Sequence, residues 1–211
     1  MMSEIRLHSG ESFERVFINE PSVDLHIIQE ARSRVKIHIL DFSSATNNVV
    51  IEQAGEGCET EIYGLASLHG DERVLTETHV THTVGGGTSN QLIKFVLEDE
   101  AKGRFLGELK IAPDAQQVEA HQTNRNLLLS EGAQMRTQPQ LEIYADDVKA
   151  THGASTGQLD EAALFYMQQR GIGKEKARQL LVGAFMKEVL DTISDESLRV
   201  SLLNSIDGVV E

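Results

Sequence analysis

Tryptophan is absent from this sequence, aromatic residues make up only 5% of it, and it contains a single cysteine, Cys58. One cysteine cannot form a disulfide within the chain, which excludes a disulfide-held fold and favours a reducing compartment. The N-terminus lacks the apolar segment and cleavage pattern of a signal peptide. No stretch approaches the roughly 20 apolar residues that a membrane-spanning helix needs. These absences predict a cytoplasmic protein that is not embedded in a membrane.

Positive charge is also scarce, because 19 basic residues face 33 acidic ones and the formal net charge is −14. A field of that sign repels phosphate backbones, so the composition argues against general binding of nucleic acid. Most of the acidic excess is expected to be solvated surface.

Short alternating runs of apolar residues are what the sequence has in abundance, and they predict strands with one buried face. The runs recur every ten to sixteen residues or so, separated by polar or glycine-bearing turns. Such spacing fits a sandwich, a barrel or a β-solenoid. The low aromatic content favours the solenoid, a parallel β-helix, whose narrow interior holds stacked aliphatic side chains. The runs are Leu25/Ile27, Val35/Ile37/Ile39, Val49/Ile51, Ile93/Phe95/Leu97, Phe105/Leu109/Ile111 and Leu141/Ile143/Ala145.

Three local features of the sequence add detail to the predicted solenoid. The segment Thr46-Asn47-Asn48 is typical of a turn. The polar residues at alternate positions of 122–126 are expected to stack as ladders between successive coils. Strand-like sequence begins near residue 13.

The last quarter of the sequence changes to helical periodicity, which predicts a β-helix domain over residues 1–155 and a helical region over 156–211. Asp160 is placed to cap a helix that runs to Gln169 and stops at Gly171, and Gly173 then opens a second helix. A third helix is expected from about residue 194. We expect the three helices to cover the open end of the solenoid. The predicted apolar face of the second helix consists of Ala177, Leu180, Leu181, Ala184, Phe185 and Val189.

His152 is the most informative polar residue, because it lies in the segment 146–153, where the strand pattern is expected to end. A neutral imidazole near the carboxylates of Asp146 and Asp147 can hold a borderline metal. A hydrogen-bonded turn histidine is the alternative, and a metal site would need ligands from another chain or a distant segment. His79 and His82 are three residues apart, so in a strand their rings point to opposite faces and cannot bind one metal.

Three other patterns in the sequence bear on function. Gly85-Gly86-Gly87 looks like a phosphate loop, but no lysine follows at the required spacing, and a turn with positive φ explains it. The pair Asp146-Asp147 suggests a carbohydrate-active β-helix enzyme, although adjacent strand residues face opposite ways. Residues 170–181 resemble a helix-hairpin-helix element, in which a Gly-Ile-Gly turn offers backbone amides to DNA.

Residues 115–130, 139–172 and 177–189 resemble the C-terminal part of the SufD-like members of the SufB/SufD family, which belongs to the SUF machinery for iron–sulfur cluster assembly. The elements DDVK, HG, LD, LFY and RGI occur in the family's order and spacing. SufB-like members carry glutamate after the corresponding histidine, where this sequence has Gly153. The resemblance is dense over residues 115–198 and looser back to His79.

The resemblance implies a right-handed parallel β-helix with a C-terminal helical region, acting as a non-enzymatic scaffold. It implies pairing of β-helices, either with a SufB-like subunit or with a second copy of the chain. It also implies that a SufC-like ATPase docks on the C-terminal helices around Phe165, Tyr166, Arg170 and Ile172.

His152 is implied as a ligand at the cluster site. No tightly bound cofactor is expected, only a transient iron–sulfur cluster shared with a partner. The family often has cysteine two residues before this histidine, but Ala150 stands there, so a thiolate from this strand is not expected. The family's N-terminal helical region is missing, so we expect either a fragment or a short natural relative.

Overall fold

The computed structural model describes residues 2–209, and side chains over residues 2–205. This part of the chain contains twelve strands followed by three helices. The strands are β1 Ser3–Leu7, β2 Ser12–Ile18, β3 Ser22–Gln29, β4 Arg34–Asp41, β5 Ala45–Gln53, β6 Glu59–Leu68, β7 Arg73–His82, β8 Thr88–Leu97, β9 Lys102–Ile111, β10 Val118–Leu128, β11 Gln134–Ile143 and β12 Val148–Gly157. The helices are α1 Glu161–Gln169, α2 Lys174–Leu190 and α3 Glu196–Val209. None of these described helices is long and apolar enough to cross a membrane.

Odd-numbered and even-numbered strands form separate six-stranded sheets, in the orders β1-β3-β5-β7-β9-β11 and β12-β10-β8-β6-β4-β2. All the strand pairs that hold these sheets together are parallel. Each odd strand and the even strand after it therefore make one coil, and six coils stack along an axis. A sandwich of hairpins would pair its strands antiparallel. The predicted parallel β-helix is confirmed.

Register stacks the inward residues of successive coils on one another. Ile27 pairs with Ile51, Ile51 with Val80, and Val80 with Leu109, and all four side chains are buried. Burying such an aliphatic side chain stabilises the fold by roughly 1.5–3 kcal/mol. The apolar residues that alternate along each strand therefore form columns of stacked side chains in the interior of the β-helix.

Strands begin earlier and run longer than the sequence suggested. The first strand starts at Ser3 and not near residue 13. The predicted turn at 46–48 is wrong, since these residues lie within β5. Asn47 is buried and donates to Asp41 Oδ2 at 2.7 Å, and Asn48 donates to Asp24 Oδ1 at 3.0 Å. Side-chain hydrogen bonds across the β-helix keep these asparagines in a strand despite their preference for turns.

The strand pattern also continues past His152, contrary to the expected handover there. Only Asp146 and Asp147 lie in a bend, and β12 runs from Val148 to Gly157 in register with β10. Ladder pairing with β10 holds even Gly153 in extended backbone. The change to helix falls between Gly157 and Glu161.

The predicted helix ends are confirmed. Asp160 Oδ1 accepts from the backbone N–H groups of Ala162 and Ala163, at 2.9 and 3.2 Å, and caps α1. Gly171 follows α1 with φ +84°, the conformation of a helix stop that glycine adopts most easily. Gly173 is the N-cap of α2.

The predicted packing face of α2 is wrong in part. Ala177 and Val189 are buried as expected, but Leu180 and Ala184 are exposed. The buried residues of this helix are Ala177, Val182, Met186, Val189 and Leu190. Apolar residues lie on more than one side of α2, so periodicity alone does not select the buried side.

The helices lie against the outer face of the even-numbered sheet and not over the open end of the solenoid. Val182, Met186, Val189 and Leu190 of α2 form a second core with outward-facing residues of the sheet. The prediction of a helical cap was wrong, because the outward positions of β4, β6 and β8 are themselves apolar and need covering. These sheet residues are Leu40, Tyr63, Leu65 and Val96.

Candidate functional site

The last coil of the β-helix, made of β11 and β12, is open to solvent on its far side. Among the described residues, β11 pairs only with β9, and β12 only with β10. The residues of both strands are exposed or half-buried, whereas β9 and β10 have buried residues at every second position. Two free strand edges at one end of a solenoid are a surface prepared for pairing.

His152 lies in the middle of β12, on this open coil. It pairs in register with Gln122, and Ala150 pairs with Ala120. Ala150 packs against the main core, and alternation along a strand places His152 on the same inward side two residues later. Thr156 confirms this side, since its hydroxyl accepts from buried Asn126 Nδ2 at 3.1 Å. His152 nevertheless stays exposed, because no further coil of the described chain covers it.

The polar neighbours of β12 are engaged with β10 and not with His152. Lys149 forms an ion pair with Glu119, with an Nζ to Oε1 distance of 2.5 Å. His121 Nδ1 lies 2.8 Å from Thr151 Oγ1 on the outer face. The Asp147 backbone N–H donates to Gln116 Oε1 at 2.8 Å, in the bend before the strand. These contacts fix β12 without using the His152 ring.

No group of three or more histidine, cysteine, aspartate or glutamate side chains suited to a metal occurs within the described residues. The carboxylates of Asp146 and Asp147 therefore do not complete a metal site with His152. A metal or cluster at His152 would need further ligands from outside the described residues.

The other side chains that could bind a metal, two histidines and the cysteine, are each engaged in separate contacts. His79 lies on the outside, with Nδ1 at 3.1 Å from Glu108 Oε2, while His82 is buried and its Nε2 lies 2.9 Å from Ser89 Oγ. The prediction that their rings face opposite ways is confirmed. Burial lowers the pKa of His82 to about 4. The thiol of Cys58 is buried and donates to backbone carbonyls, with Sγ 3.1 Å from both Glu30 O and Gly55 O.

The glycine run is a turn, as expected. Gly86 has φ +73°, and β8 follows at Thr88, so a phosphate loop opening a helix is ruled out. Asp146 and Asp147 lie together in a bend before β12 and are exposed. That position offers no opposed pair of carboxylates around a sugar, as a glycosidase requires.

A second surface lies on α1 and the turn after it. Phe165 and Tyr166 are exposed by 62% and 57%, which is unusual for adjacent aromatic residues. The Arg170 guanidinium lies over the Tyr166 ring, 4.5 Å from its centroid, and Ile172 is half-buried. The structure thus brings Tyr166 and Arg170 together beside Phe165. Leu180 of α2, which the sequence predicted to lie on the packed face, and Val200 of α3 are further exposed apolar residues.

Lys94 is the most important residue that the sequence analysis missed. It points outward from β8, yet its side chain is only 2% exposed because α2 covers it. Nζ donates to the Phe185 carbonyl at 2.7 Å and to the Glu188 carboxylate. Arg125 Nη1 reaches the same Glu188 carboxylate at 3.0 Å. The available signal was a lysine between outward Leu92 and Val96, a pattern that indicates a covered outer face.

Comparison of the sequence with known proteins identifies the family. The family model for the SUF system FeS cluster assembly, SufBD core domain, matches residues 21–185. The chain belongs to the SufBD family. The match begins well before residue 79, so the family core includes early coils that the sequence resemblance did not reach.

Individual relatives agree with this assignment. The iron-sulfur cluster assembly protein SufD of Escherichia coli is 34% identical over 183 residues, covering 87% of this chain and 43% of the relative. An iron-sulfur cluster assembly SufBD family protein of Synechocystis is 36% identical over 177 residues, covering 82% and 39%. SufD of Bacillus subtilis is 33% identical over 162 residues, covering 72% and 37%. The chain spans about two fifths of the length of these relatives. Its resemblance to the C-terminal part of SufD is confirmed, and membership supports a role in SUF iron–sulfur cluster assembly.

Proposed function

We propose that this SufBD-family chain is a non-enzymatic scaffold on which an iron–sulfur cluster is assembled at an interface between subunits. The cluster is cargo and not a resident cofactor. The observation that carries the proposal is the open terminal coil with exposed His152 on its inward side. A donor placed there meets whatever covers the coil, and one imidazole alone does not hold a cluster.

The covering partner in this proposal is a second β-helix, either a SufB-like subunit or another copy of the chain. The free edges of β11 and β12 carry unpaired backbone groups, which a parallel or antiparallel strand of another subunit can pair with. Small inward residues such as Ala150 and Ala154 leave room at the seam. With no cysteine at position 150, thiolate ligands would come from the partner.

The exposed aromatic residues of α1 suit a separate partner, and we assign this surface to a SufC-like ATPase. Phe165, Tyr166 and Arg170 combine apolar area with a cation, which is the composition of interface hot spots. Because α2 is fixed to β8 through Lys94, movement of a subunit docked on the helices is transmitted to the β-helix.

Reconstitution with SufB-like and SufC-like subunits tests the role of His152. His152→Ala is expected to leave folding intact and to lower the yield of cluster, measured by its visible absorbance. His121→Ala is the matched control, since His121 is also exposed but faces outward on β10. Unchanged cluster yield in the His152 variant would remove this residue from the site.

The edge pairing has its own test by light scattering at micromolar concentration. Self-pairing predicts a dimer that Ala154→Lys converts to a monomer, because Ala154 has the inward parity of the open coil. Ser155→Lys on the outward side of the same strand is the control and should leave the dimer intact. A wild-type monomer would refute self-pairing, and co-purification of Ala154→Lys with a SufB-like subunit would refute the edge as the seam.

A proposal of DNA binding by residues 170–181 finds less support. The Gly171 turn does join two helices, but the chain carries a net charge of −14 and the family model describes cluster assembly. We therefore propose that the chain does not bind nucleic acid. We also propose that it is located in the cytoplasm.

A further inference from the structure

Gln122 is a buried glutamine on β10 whose side-chain amide is left without partners. It is 1% exposed, and neither its Nε2 nor its Oε1 has a hydrogen-bond partner within the described residues. A buried polar group in this state costs about 1–3 kcal/mol, so an apolar residue of the same size would stabilise the fold more. A glutamine at this position therefore points to a role besides packing.

The opposite wall of the β-helix is shaped around this amide. A Cβ atom at Gly107 on β9 would lie 2.3 Å from Gln122 Nε2. Gly107 is not among the residues with positive φ, so its backbone does not require glycine. The missing side chain at Gly107 is therefore what makes room for the Gln122 amide.

A second buried glutamine lies one coil earlier in the same column. Gln91 pairs in register with Gln122 and is fully buried. Its Oε1 accepts from the Thr78 hydroxyl at 2.8 Å, and that oxygen has a second lone pair. The neighbour of Gln122 on the side away from the open end is therefore another buried glutamine, whose oxygen is already engaged with Thr78.

On the other side, the next residue in register is His152. Neighbouring strands lie about 4.8 Å apart, so a ring turned inward over the open coil comes within reach of the Gln122 amide. The column of Gln91 and Gln122 then ends on the imidazole of His152 at the terminal coil. The two side chains are not hydrogen-bonded in the structure, and the exposed His152 side chain is free to turn towards the coil.

We propose that Gln122 is a positioning residue for His152, with Gln122 Oε1 accepting a hydrogen bond from one ring N–H. That bond fixes the tautomer and leaves the lone pair of the other ring nitrogen directed out of the coil. Histidines that bind metals usually donate their second N–H to a carbonyl or carboxylate in this way. The meaning of the bond for cluster assembly rests on the proposed function, but the bond itself does not.

Nitrogen-15 NMR of the His152 ring tests this in the purified chain at pH 8, without cluster or partner subunits. One tautomer is expected to dominate in the wild type. In Gln122→Met, which keeps the length and removes the amide, the two tautomers should mix, as expected for an exposed imidazole without a fixed partner. Gln138→Met is the matched control, because Gln138 points outward from β11 in the same end of the solenoid.

Gln122→Glu separates positioning from a structural effect, since it keeps an oxygen acceptor and should keep the single tautomer. Gln122→Leu, which also lacks the amide, replaces the methionine variant if that one does not fold, and it should give the same mixture of tautomers. A mixture of tautomers in the wild type, or an unchanged single tautomer in a folded Gln122→Met, would overturn the proposal. Either result leaves the cluster assay of His152→Ala untouched, so the two proposals fail separately.

Discussion

Neutralising Glu188 is the perturbation that most directly probes how the helical region is held on the β-helix. The Lys94 ammonium is buried under α2, with the Glu188 carboxylate and the Phe185 carbonyl as partners. Burial lowers the pKa of Lys94, and the adjacent Glu188 opposes that change. Glu188→Gln leaves the buried cation without its counter-charge.

The size of the effect follows from the exposure of the two partners. Breaking a buried ion pair costs about 3–5 kcal/mol, but Glu188 is 46% exposed. Solvent screens part of the interaction, so we expect Glu188→Gln to lower the free energy of unfolding by about 2–3 kcal/mol. Lys94→Met removes the cation itself and should cost less than about 1.5 kcal/mol, because a partly exposed Glu188 keeps Arg125.

The assay is urea unfolding of both single variants and the double variant, analysed by linear extrapolation. The double variant should match Lys94→Met to within about 0.5 kcal/mol, because Glu188 then has only its exposed pair with Arg125 left to lose. Asp191→Asn, which breaks the exposed pair with Lys187 near the end of the same helix, should change stability by less than about 0.5 kcal/mol. Additive losses in the two single variants would refute the reasoning.

The remaining predictions concern pH and the second surface. Burial raises the pKa of Asp41 from 3.8 to about 6. The contribution of Asp41 to the free energy of unfolding is therefore fully present below pH 3.8, and it is lost as the pH rises through 6 and the buried carboxyl ionises. Asp41→Asn can pair its amide with that of Asn47, and should raise stability by about 1–3 kcal/mol at pH 8 but not at pH 4, as urea titrations at both values would show. Burial lowers the pKa of His82 to about 4 from 6.5, so its contribution is present above pH 6.5 and falls away towards pH 4. At pH 5 the loss should be about 2 kcal/mol, and His82→Gln should flatten the stability profile between pH 7 and 5. The double variant Phe165→Ser and Tyr166→Ser should abolish binding of a SufC-like ATPase in a pull-down, while Gln169→Ala, on the same helix, should leave binding unchanged. Binding retained by the double variant would show that the ATPase docks on another surface.

The repeating part of the fold could be predicted because each coil repeats one physical rule. Inward positions such as Ile27, Ile51 and Val80 are apolar at every second residue, and the alternation identifies the buried face without any knowledge of pairing. Helix ends were equally readable, since Asp160 and Gly171 act through local backbone geometry.

The errors arise where tertiary contacts override local preference. The asparagines of β5 look like a turn, and only their hydrogen bonds to the carboxylates of Asp41 and Asp24 explain why they are in a strand. The side of α2 that packs depends on which sheet face it meets, and the sheet face became apolar through residues scattered over β4, β6 and β8. Periodicity along α2 itself carries no such information.

The sequence identified the candidate residue, His152, but it did not predict where this residue lies in the fold. His152 was identified from its segment, but its position on the open coil depends on register with β10, which spans 30 residues of sequence. The unpartnered amide of Gln122 was beyond prediction for the same reason. A polar residue in an alternating strand looks the same whether it forms a ladder or stands alone.

Site-specific photo-crosslinking from position 154 tests most directly that the terminal coil is the assembly interface. A photoreactive residue there should crosslink, in cells, to a SufB-like subunit or to a second copy of the chain, identified by mass spectrometry. The same residue at position 77, on the outer face of β7, should give no such product. Crosslinks to a β-helix partner from position 77 and none from 154 would contradict the account.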